Sequence, residues 1–148
     1  MSDSAEIDVL LVEDDEGDVL MTREAFEHHK LRNQLHVVPD GVEAISFLRR
    51  EGKHEGAPRP GLILLDLNLP RKDGREVLEE IKSDETLRSI PVVVLTTSQA
   101  EEDIARTYDL GVNSFITKPV TFDGLVQAMD AFSRYWLEIV ELPNGLAA

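Results

Sequence analysis

The sequence contains no cysteine, which excludes a disulfide framework and any thiolate metal site. Long hydrophobic runs are missing too, since none approaches the roughly 20 residues that a spanning helix needs. The N-terminus, from Met1 to Asp8, is mostly polar and acidic and has no apolar run before Ile7, and so does not read as a signal peptide. Basic residues are the minority charge: 15 Lys and Arg face 29 Asp and Glu, for a net charge of −14. A field of that sign repels phosphate backbones and anionic membrane surfaces, so neither nucleic acid nor membrane is expected as a partner. Most of the acid excess simply keeps the chain in solution. Aromatics are few and no tract is of low complexity, while 42% of the residues are hydrophobic, enough apolar material for one sizeable core. A chain of 148 residues suits one compact domain, and a cytoplasmic protein fits these properties.

Short apolar runs alternate with helical patterns. The runs are Ile7 to Val12, Leu35 to Val38, Leu62 to Leu65, Val92 to Leu95 and Ser114 to Ile116. They are mostly Leu, Ile and Val, as expected for strands buried on both faces of a parallel sheet. Between them, Val19, Leu20, Ala25 and Phe26 mark a first amphipathic stretch, and Val42, Ala44, Ile45 and Leu48 a second. Val77, Leu78 and Ile81 mark a third, and Ile104, Ala105 and Tyr108 a fourth. The fifth is the clearest, with Phe122, Leu125, Val126, Met129, Phe132 and Trp136 at helical spacing. Asp40 with Glu43, and Ser98 with Glu101, read as capping boxes. The pattern predicts a doubly wound α/β domain. Gly52 to Gly61, with two prolines, reads as a surface loop.

In open parallel sheets ligands bind at the carboxyl ends of the strands, near the point where strand order reverses. Glu13, Asp14 and Asp15 follow the first run; Asp66, Leu67 and Asn68 the third; Thr96, Thr97 and Ser98 the fourth; Thr117, Lys118 and Pro119 the fifth. Taken singly, each has an ordinary reading. An acidic pair after a strand is usually a helix cap, a lone Asp a turn residue, and Thr-Thr a matter of β-propensity and turn chemistry. Their coincidence at one rim points to chemistry. Carboxylates on neighbouring strands favour a hard cation such as Mg²⁺. A carboxylate can also attack a phosphoryl group, with a metal and an ammonium neutralising the transferred charge.

These residues resemble the response-regulator receiver family from about Ile7 to about Trp136. The resemblance rests on LLVEDD (10 to 15), LILLDLNLPRKDG (62 to 74), VVVLTTS (92 to 98) and NSFITKP (113 to 119). It implies a flavodoxin-like receiver fold, a five-stranded parallel sheet in the order 2-1-3-4-5. Asp66 would be the phosphoacceptor, served by a histidine kinase. Asp14, Asp66 and the backbone carbonyl of Asn68 would bind Mg²⁺, with Glu13 acting through water. Lys118 would contact the phosphoryl group, Thr96 would be the switch hydroxyl, and Phe115 the aromatic whose rotamer follows it. The surface of the fourth stretch, fifth strand and fifth stretch would then change. Pro70 and Gly74 match the family's turn after the acceptor, and Pro119 its cis-proline position. Two departures are Glu13, where Asp is commoner, and Thr97, where a small residue is usual and a larger one narrows access to Asp66. Within the family, DLNLP and YWLEIVELP look most like the small regulators paired with phytochromes.

The expected domain spans residues 1–140, followed by a tail of 141–148 and no output domain. The chain reads as a switch that catalyses only its own phosphorylation and dephosphorylation. A haloacid-dehalogenase-type phosphatase would want a second Asp where Asn68 stands, and a phosphorylation-dead module has no reason to keep Asp14, Asp66, Thr96 and Lys118. Neither a Walker-type loop nor GxGxxG is present. Asp15, Gly17, Asp18 and Met21, with Pro119 and Val120, are expected to face the kinase, although Asp15 and Asp18 at a helix start also suit simple capping. Tyr135, Trp136, Leu137, Ile139, Val140 and Leu142 continue apolar beyond the core stripe and are expected to form a homodimer contact.

Overall fold

Each apolar run becomes a strand: β1 (Asp8–Val12), β2 (Gln34–Val38), β3 (Leu62–Asp66), β4 (Val92–Thr96) and β5 (Ser114–Thr117). Four helices accompany them among the described residues: α1 (Glu16–His28), α2 (Gly41–Arg49), α3 (Gly74–Ser83) and α4 (Phe122–Met129). The computed structural model describes residues 7–28, 34–69, 71–97 and 114–129. The fourth amphipathic stretch, the Ser98–Glu101 cap, Pro70, and every residue of the expected dimer contact lie outside them.

All strand pairs are parallel, in the order β2-β1-β3-β4-β5. The expected fold is thus confirmed. The three central strands are buried on both faces, and alternate residues feed different cores. Leu10, Val12, Ile63, Leu65, Val92 and Val94 pack with Ala44, Ile45, Val77, Leu78 and Ile81 of α2 and α3. Val9, Leu11, Leu62, Leu64, Val93 and Leu95 pack on the other face with Phe26 of α1 and Leu125 of α4. A continuous apolar run is therefore what a two-sided sheet requires, and each fully buried Leu or Ile contributes about 1.5–3 kcal/mol.

Two residues of the amphipathic stripes are misplaced by the sequence reading. Leu20 is 56% exposed and Val42 is 40% exposed. The buried face of α1 runs instead through Val19, Thr22 and Phe26, and Thr22 is tolerated inside because its hydroxyl donates to the Asp18 carbonyl at 2.9 Å. On α2 the face is Gly41, Ala44, Ile45 and Leu48, with Phe47 buried beside it. The Asp40 cap is only half a box. Asp40 Oδ1 accepts from Glu43 N at 2.8 Å, but the Glu43 carboxylate is drawn to Lys53 and to His54 in a short 3-10 turn, Gly52–His54. A complete box stands at Asp73 and Glu76, at the start of α3.

Candidate functional site

Register brings the strand ends level. Val12 pairs with Leu65, Asp66 with Leu95, and Thr96 with Thr117, so Glu13, Asp66, Thr96 and Lys118 emerge at one rim. Strand order reverses there, since the chain passes from β1 to β2 on one side and returns to β3 on the other.

Two glycines let the loop after Asp66 lie close to the sheet and to α2. A Cβ on Gly74 would sit 2.4 Å from the Asp66 carbonyl oxygen, and one on Gly41 would sit 2.0 Å from that of Lys72. Arg71, in the left-handed region at φ 67°, reaches back to the second carboxylate oxygen of Asp40 at 3.1 Å. The loop that follows Asp66 is thus held from both ends.

Asp66 is 2% exposed. Its Oδ1 accepts from Asn68 N at 3.0 Å and its Oδ2 from Lys118 Nζ at 2.9 Å. Lys118, whose bond to Pro119 is cis, also donates to Asp18 Oδ2 at 3.1 Å and lies 2.9 Å from Glu13 Oε1. Burial opposes the charge on Lys118, but its contacts with Glu13 and Asp66 prevail and push its pKa upward. Glu13 is fixed by Asp15 N, which donates to Oε2 at 3.1 Å. Burial, reinforced by the Asp66 charge, raises the Glu13 carboxyl to about 7 against the pull of Lys118.

Carboxylate oxygens of Glu13, Asp14 and Asp66 lie within 4.8 Å of one another, two of these residues buried and Asp14 exposed. One ammonium does not balance this cluster together with Asp18, and an all-oxygen set with excess negative charge fits a hard divalent cation. An open cavity of about 630 Å³ lies over the cluster, with Thr97 and Asn68 on its wall. Thr97 is exposed and lines the mouth. Thr96 is fully buried, and its hydroxyl has no hydrogen-bond partner among the described residues. Phe115 is half-buried against the core shared with α2 and α3.

The residues expected to face a kinase divide. Met21 is 41% exposed, and Gly17 and Pro119 are also exposed. Asp15 accepts from Asp18 N at 2.9 Å as a cap of α1. Val120 is 2% exposed and packs in the core with Phe26, so its side chain is not on the surface; an apolar residue just after the cis-proline turns inward under α4. The tie between Asp18 and Lys118 joins residues 100 positions apart, and spacing along the chain carries no trace of it.

A parallel sheet in this order, with an acidic cluster, a largely buried Lys and an unpartnered hydroxyl at its switch point, matches the receiver-type arrangement that the sequence motifs imply. The chain belongs to the response regulator receiver domain family, which matches residues 9–130. It is 46% identical over 135 residues to the response regulator Rcp1 of Synechocystis sp., covering 91% of this chain and 92% of that one. The bacteriophytochrome response regulator RtBRR superimposes with a TM-score of 0.84 at 45% identity, covering 94% of this chain and 85% of the other. The phosphorylated cyanobacterial phytochrome response regulator RcpA does so at 0.74 and 49% identity, covering 89% and 94%. A structure of Rcp1 in its Mn²⁺-bound form gives 0.73 at 45% identity, covering 89% and 95%. No helix among the described residues is long and apolar enough to cross a membrane.

Proposed function

We propose that this chain is a single-domain response regulator that accepts a phosphoryl group on Asp66 from a histidine kinase of the phytochrome type. The observation that carries the reading is the Asp66 carboxylate, buried at the switch point beside Lys118, Glu13 and Asp14. The likeness to Rcp1, RtBRR and RcpA, regulators whose names tie them to phytochromes, supports the choice of kinase class. In this reading residues 1–140 form the receiver, 141–148 a tail, and the protein works in the cytoplasm without nucleic acid.

Asp66 attacks phosphorus, its oxygen forming the new O–P bond as the P–N bond to the donor histidine breaks and the electron pair returns to nitrogen. Asp14, Asp66 and the Asn68 carbonyl would hold Mg²⁺, with Glu13 acting through water, and the bound ion would neutralise charge on the transferred group. Lys118 turns from Asp66 toward a phosphoryl oxygen. Thr96 then offers its hydroxyl to another, which gives that buried donor a partner and draws the end of β4 inward. Phe115 moves into the space released, so one new bond biases a two-state surface. The chain catalyses only the gain and loss of its own phosphoryl group.

Gly17 lines the cavity over Asp66, and Met21 and Pro119 are exposed on the segments that carry Asp18 and Lys118, which supports a kinase contact there. Met21→Arg should therefore slow phosphotransfer from a phosphorylated kinase while leaving phosphorylation by acetyl phosphate unchanged. Equal loss with both donors would contradict this docking surface.

A further inference from the structure

We propose that Arg71 and Asp40 form a positioning pair that fixes the chain beyond Asp66 in the shape a divalent cation needs. The inference rests on the metal-dependent reading given above, in which the Asn68 carbonyl is a ligand.

The candidate ligands come from two segments. Glu13 and Asp14 follow β1, and Asp66 ends β3, which pairs directly with β1 through Val12 and Leu65. Asn68 lies two residues beyond the end of β3. Leu67 and Leu69 on either side of it are buried, which fixes the depth of this stretch. A peptide plane between two anchored side chains can still rotate, and the course of the chain at Arg71 limits that rotation.

That course is an unfavourable one. Arg71 sits in the left-handed region at φ 67°, where a Cβ crowds the backbone and only Gly, Asn and Asp are well tolerated. An ion pair offsets the strain. Asp40 is 5% exposed and uses its two oxygens differently: Oδ1 caps α2, and Oδ2 accepts from Arg71 Nη1 at 3.1 Å. Arg71 is the one cation paired with this buried carboxylate among the described residues. Asp40 is itself referred to the acidic rim, because Glu13 N donates to the Val38 carbonyl at 3.0 Å. The pair thus ties the Asn68 segment to the end of β1 by a second route, separate from the pairing of β1 with β3.

One competing account makes Arg71 only the neutraliser of a buried carboxylate, with no bearing on the cation. Another makes it a source of positive field near the acidic rim. Calorimetric titration of the full chain with Mg²⁺, beside urea unfolding, separates the three. Arg71→Gln removes the tie and keeps the strain, so it should weaken Mg²⁺ binding about threefold, the scale of one partly exposed ion pair. Arg71→Asn makes the same change of charge with a side chain that tolerates the left-handed region, so it should recover most of that loss. In an Asp40→Asn background, which keeps a good cap on α2, Arg71→Gln should weaken binding no further. A field effect alone would tighten binding in both Arg71 variants, since each removes a positive charge. Such tightening, equal affinity in the two variants, further weakening in the Asp40→Asn background, or lost stability with unchanged Mg²⁺ affinity would overturn the proposal. A wild-type chain that binds no Mg²⁺ would overturn the metal site itself, and the role of the pair with it.

Discussion

Thr96 keeps a hydroxyl fully buried with no partner among the described residues. An unsatisfied buried hydroxyl costs about 1–3 kcal/mol, a penalty that the proposed phosphoryl contact removes. Thr96→Val retains the shape, so it should stabilise the unphosphorylated protein by about 1 kcal/mol in urea unfolding. It should still accept phosphate, yet lose the coupled change at Phe115 seen by NMR with beryllofluoride. A lowered unfolding midpoint, or an unchanged response at Phe115, would count against this role. At this scale the sequence is informative about which residues sit at strand ends, because strand length and burial place Glu13, Asp66, Thr96 and Lys118 on one rim. It is silent about partnership. The orphaned Thr96 hydroxyl and the Asp18–Lys118 tie depend on how β4, α1 and the segment after β5 meet in space.

The segment between β3 and α3 is the element that most directly sets the site. Asp73 and Glu76 close a reciprocal cap at its far end, and Gly74 lies against the Asp66 backbone. Two substitutions there should behave differently. Asp73→Ala should cost about 1 kcal/mol through loss of the cap and leave phosphorylation by acetyl phosphate nearly unchanged. Gly74→Ala forces a methyl group into the Asp66 carbonyl, so it should cost about 1–3 kcal/mol and also slow phosphorylation, because the displaced atoms belong to the acceptor. If both variants lost stability but neither lost rate, the close approach at Gly74 would have no bearing on the chemistry. Elements were legible where a hydrophobic period ran on, as in β1, β3, β4 and α3. They were misread where a polar residue fills a core position, as Thr22 does in α1, or where a capping partner is drawn elsewhere, as Glu43 is by Lys53 and His54.

At the scale of the whole molecule, the net charge of −14 and the acidic rim set up a field that attracts cations and repels polyanions, which supports the proposal that the protein works without nucleic acid. We extend the proposal to a homodimer that pairs through Tyr135, Trp136, Leu137, Ile139, Val140 and Leu142. Deleting Glu138 to Ala148 should yield a monomer that still accepts phosphate, and light scattering of the full chain and the truncated one checks this. A full-length chain that is monomeric with and without beryllofluoride would contradict it. The central claim is the chemistry of Asp66, and intact-mass spectrometry after incubation with acetyl phosphate and Mg²⁺ tests it most directly. The wild type should gain one phosphoryl group and Asp66→Asn, still folded, should gain none; undiminished phosphorylation of Asp66→Asn would contradict the account.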